Sequence, residues 1–211
     1  VDAVRDRLIS KEARERLRIY HELLVKKIER GGDQISFVNL LTAVFDMATQ
    51  RSIERDPVAE NRAAIVVLAA YVNGRSLTAL APEAGSWVKP RRLELKIKGR
   101  QDFVQHFATS AGLAVAGGSV IANAVGLYKE IEDADGGSGF SFKDLTADKA
   151  GTRFGQLAVQ SASSARELQK ALGSGIDSSA LIPSVVGLEE NLADDVFVRR
   201  YGGIKGREYL Q

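Results

Sequence analysis

Cysteine is absent from this chain of 211 residues. Disulfide bonds, thiolate-ligated metal centres and a cysteine nucleophile are therefore excluded. A chain without cysteine suits the cytoplasm, and it equally suits a periplasmic protein that does without disulfides.

The chain also lacks a strong excess of charge of either sign. Its 29 lysines and arginines stand against 27 aspartates and glutamates, which gives a formal net charge of +2. This balance is too mild to indicate nucleic acid as a partner. The apolar fraction of 45% and the charged fraction of 27% are typical of a folded globular protein rather than a disordered one.

Well-defined catalytic motifs are missing as well. The sequence contains no H-E-x-x-H, P-loop, G-x-S-x-G or complete dinucleotide-binding pattern, and no internal repeat. Any site chemistry must therefore come from a less specific grouping of residues.

Helical periodicity dominates the chain and predicts a mainly α fold, a helical bundle with one short β element near residues 92–98. We expect a single domain over 1–211, made of an N-terminal helical region (1–74), a strand and loop segment (75–100), a central bundle (101–172) and a C-terminal extension (173–211). The first helix carries one apolar stripe, which fits docking onto its own domain or a coiled-coil seam. His21 on this helix is expected to be a solvated surface residue.

Residues 92–98 alternate between apolar and charged side chains, which predicts a half-buried strand in need of a pairing partner. Six basic residues surround this segment. They could contact an anionic membrane surface or polymer, or they could protect an exposed strand edge. The six are Lys89, Arg91, Arg92, Lys96, Lys98 and Arg100.

Most residues capable of site chemistry lie between His106 and Gly155. Asp102, His106 and Ser110 are four residues apart and form one polar line on a helix. Four carboxylates of the candidate site follow along the chain, two on the second helix of the region and two on the third. These are Glu130 and Asp133, and then Asp144 and Asp148.

Small residues would let the central helices approach closely enough for these polar lines to meet. Gly151 and Gly155, at i and i+4, provide such a face on the last helix of the region. His106, Glu130, Asp133, Asp144 and Asp148 could then hold a divalent metal ion. Alternatively, His106 could act as a general base with Glu130 as its acid partner, or the whole network could fix helix register without chemistry.

The segment from Gly136 to Asp144 predicts an ordered turn followed by a helix start. Its glycines permit positive φ, and Ser141 with Asp144 has the S-x-x-D spacing of an N-terminal cap. The rings of Phe140 and Phe142 flank the cap and are expected to anchor the loop on the core.

The order of these residues resembles the YfiM-like family of small bacterial envelope lipoproteins. The pattern is H-F-x-x-S at His106, K-E-x-x-D at Lys129, and G-S-G-F-S-x-x-D-L-x-x-D-x-x-G-x-x-x-G from Gly137 to Gly155. Its H-F start and D-L-x-x-D-x-x-G end are more distantly similar to VanZ-like membrane proteins. The resemblance covers residues 101–158 and implies an envelope or periplasmic setting and a shared polar helical core, rather than a particular reaction.

Two functions follow as hypotheses. The first is a binding or structural module of the bacterial envelope, with the polar cluster buried in its core and an envelope component, another protein or a second copy of the chain as partner. The second is a metal-dependent or acid–base hydrolase acting on an envelope component. The cytoplasm remains an alternative location.

Overall fold

The computed structural model describes residues 9–32, 35–116 and 139–203. Along these parts the chain forms α1 (Lys11–Gly31), α2 (Phe37–Arg51), α3 (Pro57–Val72), a 3₁₀ turn (Pro82–Ser86), α4 (Gln101–Val115), α5 (Phe142–Val159), α6 (Ala162–Gly173), α7 (Ser178–Leu181) and α8 (Asp194–Tyr201). The mainly α fold expected from the sequence is confirmed, and the packed helices are consistent with a bundle.

Side-chain caps define where the first three helices begin. Ser10 and Ser36 accept backbone N–H groups at the starts of α1 and α2, and Asp56 does the same for α3, with Pro57 at the first helical position. The apolar stripe of α1 is buried against α2 and α3 through Leu17, Tyr20, Leu24 and Ile28. The stripe therefore docks onto its own chain.

Aromatic rings join α2, α4 and α5 in the core. Phe37 and Phe107 meet edge to face with ring centroids 5.9 Å apart, and Phe45 meets Phe154 at 5.5 Å. Phe107 and Phe154 complete the chain of contacts at 5.4 Å. These rings fix the position of α4 and α5, which carry the candidate site.

Helices α4 and α5 run side by side in the same direction. Residue numbers rise in the same direction along the contact. Arg100, just before α4, contacts Asp144, and further along the backbone of Phe107 lies against Gly151. A Cβ atom at Gly151 would lie 2.1 Å from the Phe107 carbonyl oxygen, and one at Gly155 would lie 2.6 Å from that of Ala111. The two glycines therefore allow the helix backbones to touch, as the sequence predicts.

The strand expected at residues 92–98 is an extended segment packed on helices. Leu95 and Ile97 are buried while their charged neighbours are exposed, so the alternation predicts burial correctly. Within the described residues the β pairing of this segment is a single bridge between Ile97 and Arg100. The Tyr71 hydroxyl satisfies part of the backbone instead, donating to the Arg91 carbonyl at 2.9 Å and accepting from the Leu93 N–H at 3.1 Å.

The last part of the central region, 142–173, forms two helices. Helix α5 ends at Val159, and Ser161 caps α6 by accepting the N–H of Ser164 at 3.1 Å. Leu181 and Ile182 of the C-terminal extension belong to the main core. No helix in the described parts of the chain is long and apolar enough to cross a membrane.

Candidate functional site

His106, Ser110 and Asp148 meet between α4 and α5. The Ser110 hydroxyl donates to Asp148 Oδ1 at 2.7 Å, and His106 Nδ1 lies 3.2 Å from the same oxygen. An ionised carboxylate can only accept, so in this state the proton of the pair lies on Nδ1. Ser110 is buried, whereas the side chains of His106 and Asp148 keep 30% and 32% of their exposure. The site therefore lies at the edge of the helix contact and is partly exposed rather than buried in the core as expected.

Asp144 lies on the other side of the imidazole. Its Oδ2 is 3.9 Å from His106 Nε2, and its Oδ1 is 3.3 Å from the Arg100 guanidinium. The cap expected at Ser141 is present, since the Ser141 hydroxyl accepts the Asp144 N–H at 3.1 Å. The backbone of Asp144 thus starts α5 while its carboxylate contacts Arg100.

Arg100 connects three acidic side chains. It forms a two-oxygen ion pair with Asp102 and also contacts Asp144 and Glu190. Hydrogen bonds and charge attraction, first from Asp102 and then from Glu190, raise the pKa of Arg100. The hydrogen bond from Arg100 lowers the pKa of Asp102 against the opposing effect of its partial burial.

The C-terminal segment from Glu189 to Leu192 closes one end of this cluster. Glu190 accepts from Lys143 at 2.6 Å, and this bond together with that from Arg100 lowers its pKa. Backbone hydrogen bonds in both directions pair Phe140 with Leu192. The sequence pattern missed Arg100 and Glu190 as members of the cluster because they are 90 residues apart in the chain.

Three of the five proposed metal ligands are therefore placed near one another, and the other two lie outside the described residues. His106, Asp144 and Asp148 meet as described, whereas Glu130 and Asp133 belong to the range 117–138. Across residues 9–32, 35–116 and 139–203, no three histidine, cysteine, aspartate or glutamate side chains are grouped so that they could hold a metal ion. The proposed role of Glu130 as partner of a general base stays a prediction.

The described end of the glycine loop is tightly built. Gly139 has φ of +79°, and a Cβ atom there would lie 2.6 Å from the Leu192 carbonyl oxygen. The rings of Phe140 and Phe142 contact Phe197 of α8, and the Phe140 ring stacks on it at 3.8 Å. The expected aromatic anchor thus includes the C-terminal helix, while Gly136 and Gly137 lie outside the described residues.

A second polar cluster, which the sequence reasoning missed, surrounds Glu60 in α3. This carboxylate is fully buried and contacts Arg16 at 3.0 Å, Arg51 at 2.6 Å and the Tyr20 hydroxyl at 2.9 Å. Burial alone would raise the pKa of Glu60, but the hydrogen bonds from Arg51, Tyr20 and Arg16 outweigh burial and lower it. A single acidic residue in a helix that is mostly apolar was the available signal.

Next to Glu60, Asn61 begins a buried amide network. Its Nδ2 donates to the carbonyls of Ala158 and Ala165 at 3.1 and 3.2 Å, and the Gln169 amide donates to Asn61 Oδ1 at 2.7 Å. Both carbonyl acceptors lie near the break between α5 and α6. The network therefore satisfies buried backbone groups and is sufficiently explained by structure.

The basic set near the extended segment divides in two. Arg92 donates to the carbonyls of Tyr71 and Val72 at the end of α3, and Arg100 belongs to the acidic cluster. Lys89, Lys96 and Lys98 are exposed. His21 is not a purely solvated residue, because its Nε2–H donates to the Val88 carbonyl at 2.8 Å and its ring packs on Trp87.

Comparisons of this chain with protein-family models, with curated proteins and with solved structures give no match. The function is therefore argued from the arrangement of the side chains.

Proposed function

We propose that this chain is a non-catalytic binding or structural module of the bacterial envelope. In it the cluster of His106, Ser110 and Asp148, the His106 cluster, holds α4 and α5 in register. The observation that carries the proposal is the pairing at Asp148, whose Oδ1 faces both the Ser110 hydroxyl and His106 Nδ1. This pairing lies one turn from Gly151, where the two backbones are in contact.

The order of the contacts argues against a serine nucleophile. In a nucleophilic triad the imidazole lies between the serine and the acid, so that it can take the hydroxyl proton. Here the acid lies between the other two, because Ser110 donates to Asp148. The hydroxyl is held by the carboxylate, which suits a fixed helix contact.

The remaining carboxylates also have cationic partners. Arg100 contacts Asp102, Asp144 and Glu190, and Lys143 contacts Glu190. Such a network stabilises one arrangement of the segments that carry it, since each partner is satisfied only when all segments are in place. The resemblance of residues 101–158 to YfiM-like proteins supports the envelope setting.

Removing the central acid tests this role. Asp148→Asn should lower the free energy of unfolding by about 1–3 kcal/mol, because a neutral amide oxygen accepts hydrogen bonds from Ser110 and His106 more weakly than a carboxylate does. Asp195→Asn is the matched control on the exposed face of α8, with an expected change within about 0.5 kcal/mol. Urea unfolding followed by circular dichroism gives both values, and equal stability of the two variants would contradict the proposal.

A hydrolase acting on an envelope component is the second candidate, and the partial exposure of His106 favours it. An imidazole that contacts Asp148 through Nδ1 and keeps 30% of its side-chain exposure could serve as a general base or a metal ligand. Equilibrium dialysis of the wild type and of His106→Ala against Zn²⁺, Mn²⁺ and Mg²⁺ separates the two functions. Stoichiometric uptake that is lost in a fully stable His106→Ala variant would favour the hydrolase.

The location is tested independently of the cluster. Fractionation of cells that make the native protein, followed by immunodetection, should recover it with the envelope or periplasm. Recovery with cytoplasmic markers alone would refute the envelope setting and leave the structural role of Asp148 to the unfolding experiment.

A further inference from the structure

A cavity of about 400 Å³ lies between the end of α3 and the chain from residue 75 to residue 92. It is separate from the His106 cluster. Its floor includes the apolar residues Val67, Ala70 and Leu77, and Tyr71 and Trp87 are among the residues of its wall. This size and this mixture of apolar and aromatic lining are typical of sites for small molecules.

The wall of the cavity is fixed by hydrogen bonds from the helices. His21 on α1 donates to the Val88 carbonyl, and its ring packs on Trp87 with centroids 5.2 Å apart. On the other side, the Tyr71 hydroxyl bonds the backbone of Arg91 and Leu93. A ligand would therefore bind in a cavity whose wall is already in place, which reduces the conformational entropy lost on binding.

The charged side chains among the described lining residues of the cavity are cationic. Arg75, Lys89 and Arg92 are among its lining residues, and of the described residues that line it none is an aspartate or glutamate. The Arg92 guanidinium bonds the last carbonyls of α3, so it offsets the partial negative charge of that helix end. An anion at the rim would meet attraction from these cations, and no carboxylate is among the described lining residues.

We propose that this cavity binds a small amphipathic anion: a free organic carboxylate whose apolar body lies against Trp87 and Tyr71 and whose charge lies at the rim formed by Arg75, Lys89 and Arg92. The site does not depend on the proposed role of the His106 cluster. It would give the chain a small-molecule ligand in addition to any protein or envelope partner.

Trp87 is the single tryptophan of the chain, so its fluorescence reports on this cavity alone. The probe is 8-bromooctanoate, because a bromine atom in contact with an indole ring quenches its emission. Titration of the full chain at low salt should give saturable quenching, and added NaCl should weaken it by screening. The uncharged 8-bromooctanol should quench at least several-fold less at equal concentration.

Variants then test which cationic side chains contribute to binding the carboxylate. Lys89→Gln should raise the apparent Kd about two- to five-fold, and Lys89→Gln combined with Arg75→Gln should raise it further. Lys170→Gln removes an exposed positive charge on α6 and serves as the matched control, with an unchanged Kd expected. Circular dichroism of each variant checks that the fold is retained.

Three results would overturn the proposal. Quenching that rises linearly without saturation would show collisions rather than a site, and equal quenching by the acid and the alcohol would remove the role of charge. Quenching by a bromine-labelled acyl chain in vesicles of anionic phospholipid, with none by monomeric 8-bromooctanoate, would assign the basic segment to a membrane surface.

Discussion

A methyl group added at Gly151 should force α4 and α5 apart. The Cβ atom of Gly151→Ala would lie 2.1 Å from the Phe107 carbonyl oxygen and 2.8 Å from its carbon. Atoms of a packed interior approach to about 3.5 Å, so the two helices must separate by on the order of 1 Å. The neighbouring contacts that depend on the close approach are those of Asp148 with Ser110 and His106.

The expected size of the effect is a balance of opposing contributions. Overpacking costs roughly 3 kcal/mol when backbone must move, and loss of the Ser110 hydrogen bond costs about 1 kcal/mol. Alanine in place of glycine within a helix stabilises by about 1 kcal/mol. Gly151→Ala should therefore lower the free energy of unfolding by about 3 kcal/mol.

Urea unfolding followed by circular dichroism measures this change. With a slope of about 2 kcal/mol per molar urea, the midpoint should fall by about 1.5 M. Gly173→Ala at the end of α6 is the matched control, because a Cβ atom there meets no described atom within 4 Å. It should be neutral or stabilising by up to about 1 kcal/mol. If Gly151→Ala unfolds at the same urea concentration as the wild type, the close backbone contact is not present in solution.

Three further changes test other contacts by the same unfolding assay. Glu60→Gln should destabilise by about 3–5 kcal/mol, because Arg51 and its neighbours lose a buried partner, whereas Glu29→Gln on the exposed face of α1 should have little effect. Because the folded pKa of Glu60 is lowered, its contribution is full above its ordinary value of 4.5 and is lost as pH falls through the folded pKa. The acid-induced loss of stability should therefore be smaller in Glu60→Gln, and an unchanged pH dependence would contradict this. Ser141→Ala should cost about 1 kcal/mol through the lost cap, and Gly139→Ala more than that, since it combines positive φ with a Cβ atom 2.6 Å from a carbonyl. A smaller loss for Gly139→Ala than for Ser141→Ala would argue against the close contact between this turn and Leu192.

Local signals in the sequence predicted the helices and several of their ends. Asp56 and Pro57 start α3, and Ser141 starts α5, because a cap depends on residues within one turn. The face that pairs with α4 was predictable for the same reason, since Gly151 and Gly155 are one helical turn apart. Ser161 was missed as the cap that separates α5 from α6, although it carries the same kind of signal.

Pairing between distant segments was harder to predict. Alternation at residues 92–98 gives the buried face of an extended segment, but it does not say whether a strand or a tyrosine hydroxyl satisfies the backbone. Here Tyr71 provides two of the hydrogen bonds that a neighbouring strand would have supplied. The prediction was right about which side chains are buried, and within the described residues the β pairing of this segment is limited to the bridge between Ile97 and Arg100.

The same difference between local and distant signals separates the two polar clusters. His106, Ser110 and Asp148 were identifiable because each lies on the small-residue face of its helix, and the fold brings them together. The Glu60 cluster was not identifiable from charge spacing, because its cations come from α1 and α2. A single acid in an apolar helix indicates a buried partner without saying which arginine supplies it.

The C-terminal segment determines how the His106 cluster can be used. Glu190 contacts both Arg100 and Lys143, and Arg100 in turn contacts Asp144 beside His106. Backbone hydrogen bonds between Phe140 and Leu192 hold the same segment in place, so its position does not depend on the ion pairs alone. A partner that bound Arg100 through a carboxylate or phosphate of its own would compete with Glu190. Access to the cluster from this side therefore requires the segment from Glu189 to Leu192 to move.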